Sequence, residues 1–379
     1  MKKIVVLGCG RVGVLMVKDL ARRPGLKVTA VDASSKNLAG LKPLKSIVTR
    51  KADLSDKKTV GKLVKGCDLA VGAVPGWMGF AVMKSVIDAG VNYSDISFFP
   101  EDPFKLDARA RAKGVTAVVD CGVAPGLSNM IVGHVDSILD KTQKVLILVG
   151  GLPKKRTLPW EYKAPFSPAD VIEEYTRPAR FVRKGKVVTV PALTDVELVK
   201  LPGAGTLEAF NTDGLRSIMR TIKAPDMKEK TLRYPGHADK MRLLRDGGFF
   251  DKKKVKVGDV KVRPLDVTSS LLFPQWQLDE NEDEFTVMQV TVEGRKDKKH
   301  LRYTYNLLDR FDKKTGDTSM ARTTGYPNAI VAWLLATGRF ERKGVCPPEY
   351  IGCDEKVFPL ILRELKTRGI KLKRKIEEI

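Results

Sequence analysis

Residues 3–23 read KIVVLGCGRVGVLMVKDLARR, and this stretch decides the fold of the first part of the chain. Residues 3–7 form a short apolar run rich in β-branched side chains, which predicts a buried parallel strand. The residues after position 13 carry apolar side chains at helical spacing, which predicts a helix. Three glycines lie between the two elements in the pattern GxGxxG, so the motif has the strand–turn–helix context of a dinucleotide-binding site.

Each glycine of the motif has a physical reason in such a site. Gly8 permits the tight turn, Gly10 lets the backbone approach a pyrophosphate, and Gly13 lets helix and strand pack closely. The phosphates would lie on the helix N-terminus, where free N–H groups and the helix dipole favour anions. We expect the two residues between the second and third glycines, Arg11 and Val12, to belong to the same cofactor-binding loop.

The second predicted strand ends in an acidic residue at the position where this fold binds the adenosine ribose. Residues 27–32 read KVTAVD and end in Asp32. A carboxylate there accepts hydrogen bonds from the ribose hydroxyls and repels a 2′-phosphate, so NAD is expected rather than NADP. The hydroxyls and the cation of residues 34–36 (SSK) could weaken that preference.

The third and fourth predicted strands end in further candidate cofactor contacts. The third covers residues 46–54 and ends in Asp53 and Leu54, which would flank the adenine. The fourth covers residues 67–75, and its end would run beside the nicotinamide ribose. The residues at that end are Ala73, Val74 and Pro75.

Two more strands, at residues 90–95 and 114–122, complete an alternation of strands and helices. The predicted fold class is therefore α/β, with a doubly wound parallel sheet of the Rossmann type over residues 1–125. A Rossmann-shaped domain that binds no nucleotide is the alternative.

The alternation stops near residue 126, and the chain changes character. Strand-like segments with turn signals follow, punctuated by helical ones, which predicts an α+β substrate domain with a mostly antiparallel sheet over residues 126–317. Residues 318–345 contain a long apolar helix that we expect to pack back onto the first domain, and residues 346–379 are expected to form a C-terminal helix and tail. A ligand cleft is expected between the domains at the carboxyl ends of the parallel strands.

The composition of the 379 residues argues against several classes of protein. The net charge is +23, but the basic residues are interleaved with Asp and Glu and do not alternate with aromatic residues, so we expect no nucleic-acid partner. No stretch reaches the roughly 18 apolar residues of a membrane span, so no membrane association is expected. Five cysteines without metal-type spacing favour a reducing cytoplasm and no metal site. Abundant lysine with scarce glutamine and asparagine is typical of thermophilic proteins.

Four phrases in the rest of the chain carry a family resemblance. They are residues 120–129 (DCGVAPGLSN), 208–217 (EAFNTDGLRS), 231–241 (TLRYPGHADKM) and 320–331 (MARTTGYPNAIV), in this order behind the glycine motif. With them the chain resembles the saccharopine dehydrogenase-like family along essentially its whole length. Within that family it is most similar to the members that dehydrogenate lysine at its side chain.

The resemblance implies a reaction and its alternatives. It implies that NAD oxidises the ε-amine of L-lysine to allysine with release of ammonia, and that the aldehyde cyclises to 1-piperideine-6-carboxylate. Saccharopine and carboxynorspermidine dehydrogenases share the fold and are the alternative within the family. A non-catalytic NAD-binding sensor is the alternative from another class. We further expect a homodimer formed through the sheet of the substrate domain.

An amine oxidation needs a general base and a carboxylate near the developing cation. Asp95 and Asp120 each end a predicted strand of the first domain, so we assign them to the amine end as ammonium anchor and candidate base. The alternative is that each caps the helix that follows. Gly122 is expected in a backbone loop close to the nicotinamide, or alternatively in a plain turn between the domains. Cys121 is expected to be packed rather than reactive.

The other end of an amino acid needs an anion site, which is best built from an arginine fork. Arg216 and Arg233 are the candidates, and Arg322 is a weaker one. The expected neighbours of these forks in the substrate site are Asn211, Thr212 and Tyr234.

Two histidines receive different interpretations. His237 lies in the same phrase as Arg233 and is a candidate acid/base or fixed donor, because imidazole titrates near neutrality. Alternatively, Pro235 and Gly236 only turn the chain, and His237 is structural. His134, on an apolar helix face, is expected to be a core histidine.

Overall fold

The computed structural model describes residues 1–41, 46–279 and 282–379. In the first part of the chain strands and helices alternate. The strands are β1 (Lys2–Leu7), β2 (Leu26–Asp32), β3 (Ile47–Lys51), β4 (Leu69–Gly72), β5 (Asn92–Asp95) and β6 (Thr116–Val118). The helices are α1 (Arg11–Ala21), α2 (Ser35–Ala39), α3 (Lys57–Val64), α4 (Gly76–Asp88), α5 (Asp107–Ala112) and α6 (Leu127–Ile138), with a 3-10 helix at Pro103–Leu106.

The middle of the chain is rich in strands, and the C-terminal part returns to helices. The middle strands are β7 (Lys141–Pro153), β8 (Ala179–Arg183), β9 (Lys186–Val190), β10 (Glu197–Leu201), β11 (Gly205–Asn211), β12 (Asp226–Arg233), β13 (Val255–Val257), β14 (Val260–Val262), β15 (Glu284–Lys296) and β16 (Lys299–Arg310). The middle helices are α7 (Pro168–Thr176), α8 (Ile218–Thr221), α9 (His237–Asp246) and α10 (Pro264–Trp276). The last elements are α11 (Ser319–Ala336), β17 (Gly344–Cys346), α12 (Pro348–Gly352), α13 (Val357–Thr367) and β18 (Leu372–Glu378).

The chain divides into two compact units, and the first comprises Met1–His134 and Ala321–Ile370. Its described residues form one seven-stranded sheet in the order β3-β2-β1-β4-β5-β6-β17, in which all neighbouring pairs are parallel. The strand order reverses between β1 and β4, as in a doubly wound sheet, so the predicted fold class is confirmed. The sequence predicts six of these strands and misses β17.

The strands of this unit are apolar because helices pack against the sheet. On one face Leu7, Ala70 and Tyr93 belong to a buried core that includes Val82 and Val86 of α4. On the other face the hydroxyl of Ser94 donates to the side-chain amide oxygen of Asn328 in α11. The long apolar helix α11 therefore packs with this sheet, as its composition indicates.

The second unit comprises Val135–Met320 and Lys371–Ile379. Its main sheet follows the order β10-β11-β12-β7-β15-β16-β18, with β8 paired to β12 and β9 paired to β8. The β7–β12 pair is parallel, and the other described pairs of the sheet are antiparallel, so the predicted mostly antiparallel α+β class is confirmed. The β13–β14 hairpin forms a separate two-stranded sheet.

Two strands of the main sheet, β12 and β18, are not predicted from the pattern of apolar and polar residues. β12 reads DMKEKTLR, so charged side chains stand where a half-buried strand normally alternates apolar ones, and yet Glu229 and Arg233 are buried. β18 lies in the segment 346–379 that we expect to be a C-terminal helix and tail. It pairs with β16, while residues 346–370 belong to the first unit.

Two features are absent from the residues that the structure describes. No helix there combines the length and the apolar composition that a bilayer-spanning segment requires. The same residues contain no group of three or more His, Cys, Asp or Glu side chains placed to hold a metal ion.

Candidate cofactor and active site

The glycine loop between β1 and α1 has the geometry of a nucleotide-binding turn. Gly8 has a φ of 98°, and a Cβ there would lie 2.4 Å from the carbonyl oxygen of Ala73. A Cβ on Gly13 would lie 2.1 Å from the carbonyl oxygen of Gly8, so both positions require glycine. At Gly10 a Cβ would meet no described atom within 4 Å. The backbone at Gly10 is therefore open to a ligand, as a pyrophosphate site requires.

Helix α1 begins directly at this loop. Gly10 is its N-cap, and no side chain of the described residues caps it. Arg11 is exposed and Val12 is half-buried on the first turn. Because the first N–H groups of a helix lack intrahelical acceptors and lie at the positive end of its dipole, this terminus suits a phosphate.

Asp32 ends β2 beside the glycine loop and is held there by two backbone N–H groups. Its Oδ2 accepts a hydrogen bond from Cys9 N at 2.7 Å, and its Oδ1 accepts one from Ser34 N at 2.7 Å. A carboxylate offers about four lone-pair sites, so each oxygen can accept a further hydrogen bond from a ribose hydroxyl. Lys36, the cation that could attract a 2′-phosphate, is exposed in α2.

The residues at the end of β3 differ in exposure. Asp53 is exposed, and hydrogen bonds from the hydroxyl and N–H of Ser55 lower the pKa of its carboxyl. Leu54 is 6% exposed and its side chain packs in the core of the unit. Asp53 is therefore the member of this pair that is accessible to a ligand.

The end of β4 is tied to the neighbouring strands. Ala73 N donates to Leu7 O at 2.8 Å, and the carbonyl oxygen of Val74 accepts a hydrogen bond from the hydroxyl of Ser97 at 2.9 Å. Val74 is buried, and Pro75 is exposed where α4 begins. This segment therefore has a fixed position next to the glycine loop.

Two buried carboxyl groups stand at the carboxyl ends of neighbouring strands. Asp95 is the last residue of β5 and is fully buried, and Asp120, which follows β6, is 2% exposed. The charge of Asp120 acts on the carboxyl of Asp95, so the two groups interact. Asp120 has a φ of 52°, in the left-handed region that non-glycine residues rarely adopt. Backbone strain of this kind concentrates at functional sites.

Neither aspartate caps a helix, so the capping alternative fails for both. Asp95 Oδ1 accepts the N–H of Ser97 at 3.0 Å, which makes a local turn. The next helical segment, Pro103–Leu106, is capped by Asp102. The helix that follows Asp120, α6, begins seven positions later, at Leu127.

The surroundings of Asp95 shift its protonation into the neutral range. Burial raises the pKa of this carboxyl to about 7, the hydrogen bonds from Ser97 oppose the rise, and the charge of Asp120 adds to it. Like-charged carboxyls in one site do not both ionise readily. A proton is therefore held at this edge of the sheet near physiological pH.

Gly122 and Cys121 lie in a buried turn after Asp120. The N–H of Gly122 donates to Pro125 O at 3.1 Å, and its carbonyl oxygen accepts from Leu127 N at 2.9 Å. Burial raises the pKa of the Cys121 thiol, which is therefore a packed residue and not a nucleophile. The proposed contact of Gly122 with the nicotinamide stays a prediction.

In the second unit, Arg233 is committed to partners inside the protein. It is 2% exposed, and its Nη2 donates to Glu174 Oε2 at 2.6 Å. Its Nη1 donates to Leu232 O at 2.9 Å, and its Cζ lies 4.6 Å from the ring centroid of Tyr162. A fork that already binds a glutamate cannot grip a substrate carboxylate at the same time, so we correct the prediction for Arg233.

His237 is structural rather than an acid/base group. Its Nδ1 lies 3.4 Å from Trp160 O, and its Nε2 lies 2.9 Å from the hydroxyl of Tyr175. Because a carbonyl only accepts, Nδ1 carries the proton and Nε2 accepts from Tyr175. Burial, with the nearby charge of Arg233, lowers the pKa of His237 to about 3. The expectation that it titrates near neutrality is wrong.

The other predicted substrate residues, Asn211, Thr212 and Tyr234, form different hydrogen bonds within the second unit. Tyr234 donates its hydroxyl to Pro153 O at 2.9 Å. Thr212 Oγ1 donates to Glu229 Oε2 at 2.7 Å. Asn211 Nδ2 donates to a threonine hydroxyl at 3.2 Å, while its Oδ1 is buried without a hydrogen-bond partner among the described residues. Asn211 therefore has a free acceptor, whereas Tyr234 is used inside the unit.

Arg216 differs from Arg233 in its surroundings. It is 8% exposed and has a φ of 52°. Its charge is one cause, after burial, of a lowered pKa of Arg177, so two guanidinium groups stand close together. The carboxylates of Glu173 and Asp213 also act on Arg177, so the charges here are mixed, and Arg216 stays a predicted carboxylate ligand.

The remaining candidates lie in the first unit. Arg322 belongs to the first unit, whereas Arg216 belongs to the second. The guanidinium of Arg322 donates to Arg368 O at 3.1 Å. The ring of His134 stacks on Phe358 with 4.4 Å between centroids, as expected of a packed histidine.

Two family profiles cover the chain almost from end to end. Residues 4–118 match the saccharopine dehydrogenase NADP binding domain, and residues 122–370 match the saccharopine dehydrogenase C-terminal domain. The chain belongs to the saccharopine dehydrogenase family.

Curated relatives of this saccharopine dehydrogenase family member are distant. The saccharopine dehydrogenase (NADP(+), L-glutamate-forming) of Saccharomyces cerevisiae is 22% identical over 99% of both proteins. The carboxynorspermidine synthase of Vibrio cholerae is 24% identical over 82% of this chain and 80% of that protein. The mitochondrial alpha-aminoadipic semialdehyde synthase of Rattus norvegicus is 23% identical over 97% of this chain and 47% of its own length. The chain thus spans about half the length of that relative.

Solved structures show that the fold is shared. The apo saccharopine dehydrogenase (L-Glu forming) of Saccharomyces cerevisiae superimposes with a TM-score of 0.81 at 21% identity, over 100% of both chains. The homospermidine synthase of Legionella pneumophila, solved in complex with NAD, gives a TM-score of 0.70 at 12% identity, over 100% of this chain and 92% of that chain.

Sequence reasoning misses several buried polar residues of this family member. Ser97 and Tyr93 surround Asp95, and Glu229 is a buried carboxyl whose pKa burial raises to about 8. The one available signal is the Asp-x-Ser spacing at the end of β5, which is typical of a side-chain turn. Glu229 lies between two lysines and gives no signal of burial.

Proposed function

We propose that this member of the saccharopine dehydrogenase family is an NAD-dependent oxidoreductase, a lysine 6-dehydrogenase that oxidises the ε-amine of L-lysine. The products are allysine, which cyclises to 1-piperideine-6-carboxylate, together with ammonia and NADH. The observation that carries the proposal is the buried pair Asp95 and Asp120 at the carboxyl ends of adjacent strands, next to the glycine loop. Such a pair attracts an ammonium group and can take its proton.

The residues of the first unit fit a dinucleotide. The open backbone at Gly10, the N-terminus of α1 and the anchored carboxylate of Asp32 suit a pyrophosphate and a ribose diol. When bound, the nicotinamide supplies a carbon that accepts a hydride. Asp32 repels a 2′-phosphate, so we propose NAD, although the matching family domain and the yeast relative are named for NADP.

The chemistry defines what the carboxyl pair does. A lysine ammonium has a pKa of about 10 and must lose a proton before a hydride can leave the ε-carbon. The pair Asp95 and Asp120 takes that proton and stabilises the iminium cation that hydride loss creates. Water then adds to the iminium carbon and ammonia leaves. Each turnover consumes one lysine, one NAD⁺ and one water, and releases the aldehyde, NADH, an ammonium ion and a proton.

A second candidate is turnover of saccharopine or carboxynorspermidine, because relatives carry those names. Such substrates join two arms through a secondary amine and therefore carry additional charged groups. Arg216, which lies near the guanidinium of Arg177 and the carboxylates of Glu173 and Asp213, is the candidate partner for an additional carboxylate of such a substrate.

A substrate panel tests the proposal. NADH formation is followed by absorbance with lysine, ornithine, cadaverine, saccharopine and carboxynorspermidine, each with NAD and with NADP. We expect the highest kcat/KM for lysine with NAD, and a much lower value for cadaverine, which has the same chain length but no carboxylate. Turnover of saccharopine alone would support the second candidate. Tight NADH binding without turnover of any amine would instead identify a sensor.

A further inference from the structure

The hydroxyl of Ser97 stands between two oxygen atoms, and its hydrogen can serve only one of them. Ser97 Oγ lies 2.9 Å from the carbonyl oxygen of Val74 and 2.8 Å from Oδ1 of Asp95. A carbonyl oxygen only accepts, and an ionised carboxylate only accepts. With a charged Asp95, one of these two short contacts would therefore have no hydrogen.

A protonated Asp95 supplies the missing hydrogen. The carboxylic acid donates from Oδ1 to Ser97 Oγ, and Ser97 donates its own hydrogen to Val74 O. The N–H of Ser97, 3.0 Å from Oδ1, remains hydrogen-bonded in this arrangement. Both short contacts are then hydrogen bonds, so the geometry fits the neutral acid better than the carboxylate.

The surroundings of Asp95 favour the same neutral form. Oδ2 of Asp95 is buried, and the hydroxyl of Tyr93 acts on this carboxyl as a hydrogen-bond donor that opposes the rise of its pKa. Burial favours the neutral form more strongly, because a carboxylate removed from water loses its hydration. The titratable groups that interact with Asp95 are Tyr93 on the same strand and Asp120 and Cys121 beyond β6. Burial is the main reason that the pKa of Asp95 rises to about 7. A protonated Asp95 is also the form that supplies a hydrogen for both contacts of Ser97 Oγ.

Asp95 and Ser97 lie where the carboxyl ends of β4, β5 and β6 meet. Ile96 N donates to Gly72 O at 3.2 Å, and Cys121 N donates to Asp95 O at 2.7 Å. A Cβ on Gly72 would lie 2.4 Å from Oδ1 of Asp95, so the glycine makes room for the carboxyl. Val74 belongs to the segment that we expect beside the nicotinamide ribose.

We propose that Asp95 and Ser97 form a proton-dependent clasp, in which the protonated carboxyl of Asp95 donates to the hydroxyl of Ser97 and this hydroxyl donates to the carbonyl of Val74, so that the segment at the end of β4 is held in place for the cofactor. The inference rests on the proposed function. When Asp95 ionises, the hydroxyl of Ser97 turns to the carboxylate, and Val74 O loses its donor. The segment then loses its fixed position, and dinucleotide binding weakens.

NADH binding, measured by fluorescence titration between about pH 6 and pH 9, tests the clasp. We expect the wild-type Kd to rise about fivefold to tenfold as the pH passes 7, the scale of one hydrogen bond. Asp95→Asn, which is always neutral, should bind NADH with an affinity that does not change with pH. Ser97→Ala should show the weak, high-pH affinity throughout. Ser85→Ala is the matched control, because its hydroxyl bonds Ala81 O inside α4, away from the clasp. A wild-type Kd that does not change with pH would overturn the proposal.

Two readouts keep the clasp separate from the proposed function. Infrared difference spectra should show a protonated carboxylic acid in the wild type near pH 6 that is absent from Asp95→Asn, whether or not the protein turns over an amine. If that band is absent from the wild type, the proposed clasp is refuted. If the band is present but the protein does not bind NADH, the proposed function is refuted instead. With an active substrate, the KM of the wild type for NAD should rise as the pH passes about 7, whereas that of Asp95→Asn should stay constant. A KM of Asp95→Asn that rises with pH as in the wild type would refute the proposal.

Discussion

Two alanine substitutions in the glycine loop should have different effects: one should disturb the packing of the fold, and the other should only fill the space that a ligand needs. At Gly13, a Cβ would lie 2.1 Å from the carbonyl oxygen and 3.0 Å from the carbonyl carbon of Gly8. These are backbone atoms that cannot rotate away, and overpacking of this kind costs about 1–3 kcal/mol. We expect Gly13→Ala to lower the thermal midpoint of the protein. At Gly10, a Cβ would meet no described atom within 4 Å, and the φ of −67° suits alanine. Gly10→Ala should therefore fold almost as well as the wild type.

The same methyl group at Gly10 lies where a pyrophosphate has to approach the backbone. We expect Gly10→Ala to weaken NADH binding at least about tenfold, which corresponds to about 1.4 kcal/mol. The assay pairs a fluorescence titration with NADH and a thermal melt for each variant. Gly61→Ala in α3 is the matched control, since a Cβ there also meets no described atom within 4 Å. If a folded Gly10→Ala binds NADH as tightly as Gly61→Ala, the pyrophosphate does not bind at this loop, and the reasoning is refuted.

Three further predictions concern charged and titratable groups. Asp32→Asn should raise the ratio of kcat/KM for NADP over that for NAD about tenfold or more, and an unchanged ratio would remove Asp32 from the ribose site. The folded protein keeps Glu229 protonated up to about pH 8. Its contribution to the free energy of unfolding is therefore present below about pH 4.5 and is lost, by up to about 5 kcal/mol, as the pH rises to 8. Glu229→Gln should remove that slope in urea denaturation. The lowered pKa of His237 means that the protein loses stability as the pH falls from about 6.5 towards 3. His237→Gln should abolish this loss and leave the turnover profile between about pH 6 and 8 unchanged, and a shifted profile would restore His237 as an acid/base group.

The first unit is predictable from the sequence because local rules agree with the fold there. An apolar β-branched run, three glycines and an amphipathic helix occur in direct succession. Gly8 is required by a contact with the end of β4, Gly13 by a contact within the loop, and Gly10 leaves the backbone open. The position of Asp32 follows from the same short stretch. Partners within a few tens of residues are enough to fix such a motif, so sequence reasoning finds it.

The interior of the second unit is less predictable because its sheet buries polar side chains. In β12 the charged residues Glu229 and Arg233 are buried, whereas charged side chains in a strand are normally expected in solvent. Thr212 and Glu174 satisfy them across the fold. No local rule shows that a charged residue has such a distant partner.

The phrase RYPGH illustrates how a structural network imitates a binding site. An arginine, a tyrosine and a histidine around a turn are the groups that would grip a substrate, but here Arg233 binds Glu174, which lies 59 residues away. Removing one partner of a buried ion pair leaves an uncompensated charge in the interior and costs several kcal/mol. A network of this kind therefore tolerates single substitutions as poorly as a catalytic site does. The distinction between the two lies in the partners of the polar groups: Arg233 and His237 form their hydrogen bonds inside the protein, with Glu174 and Tyr175, and so have no role left for a substrate.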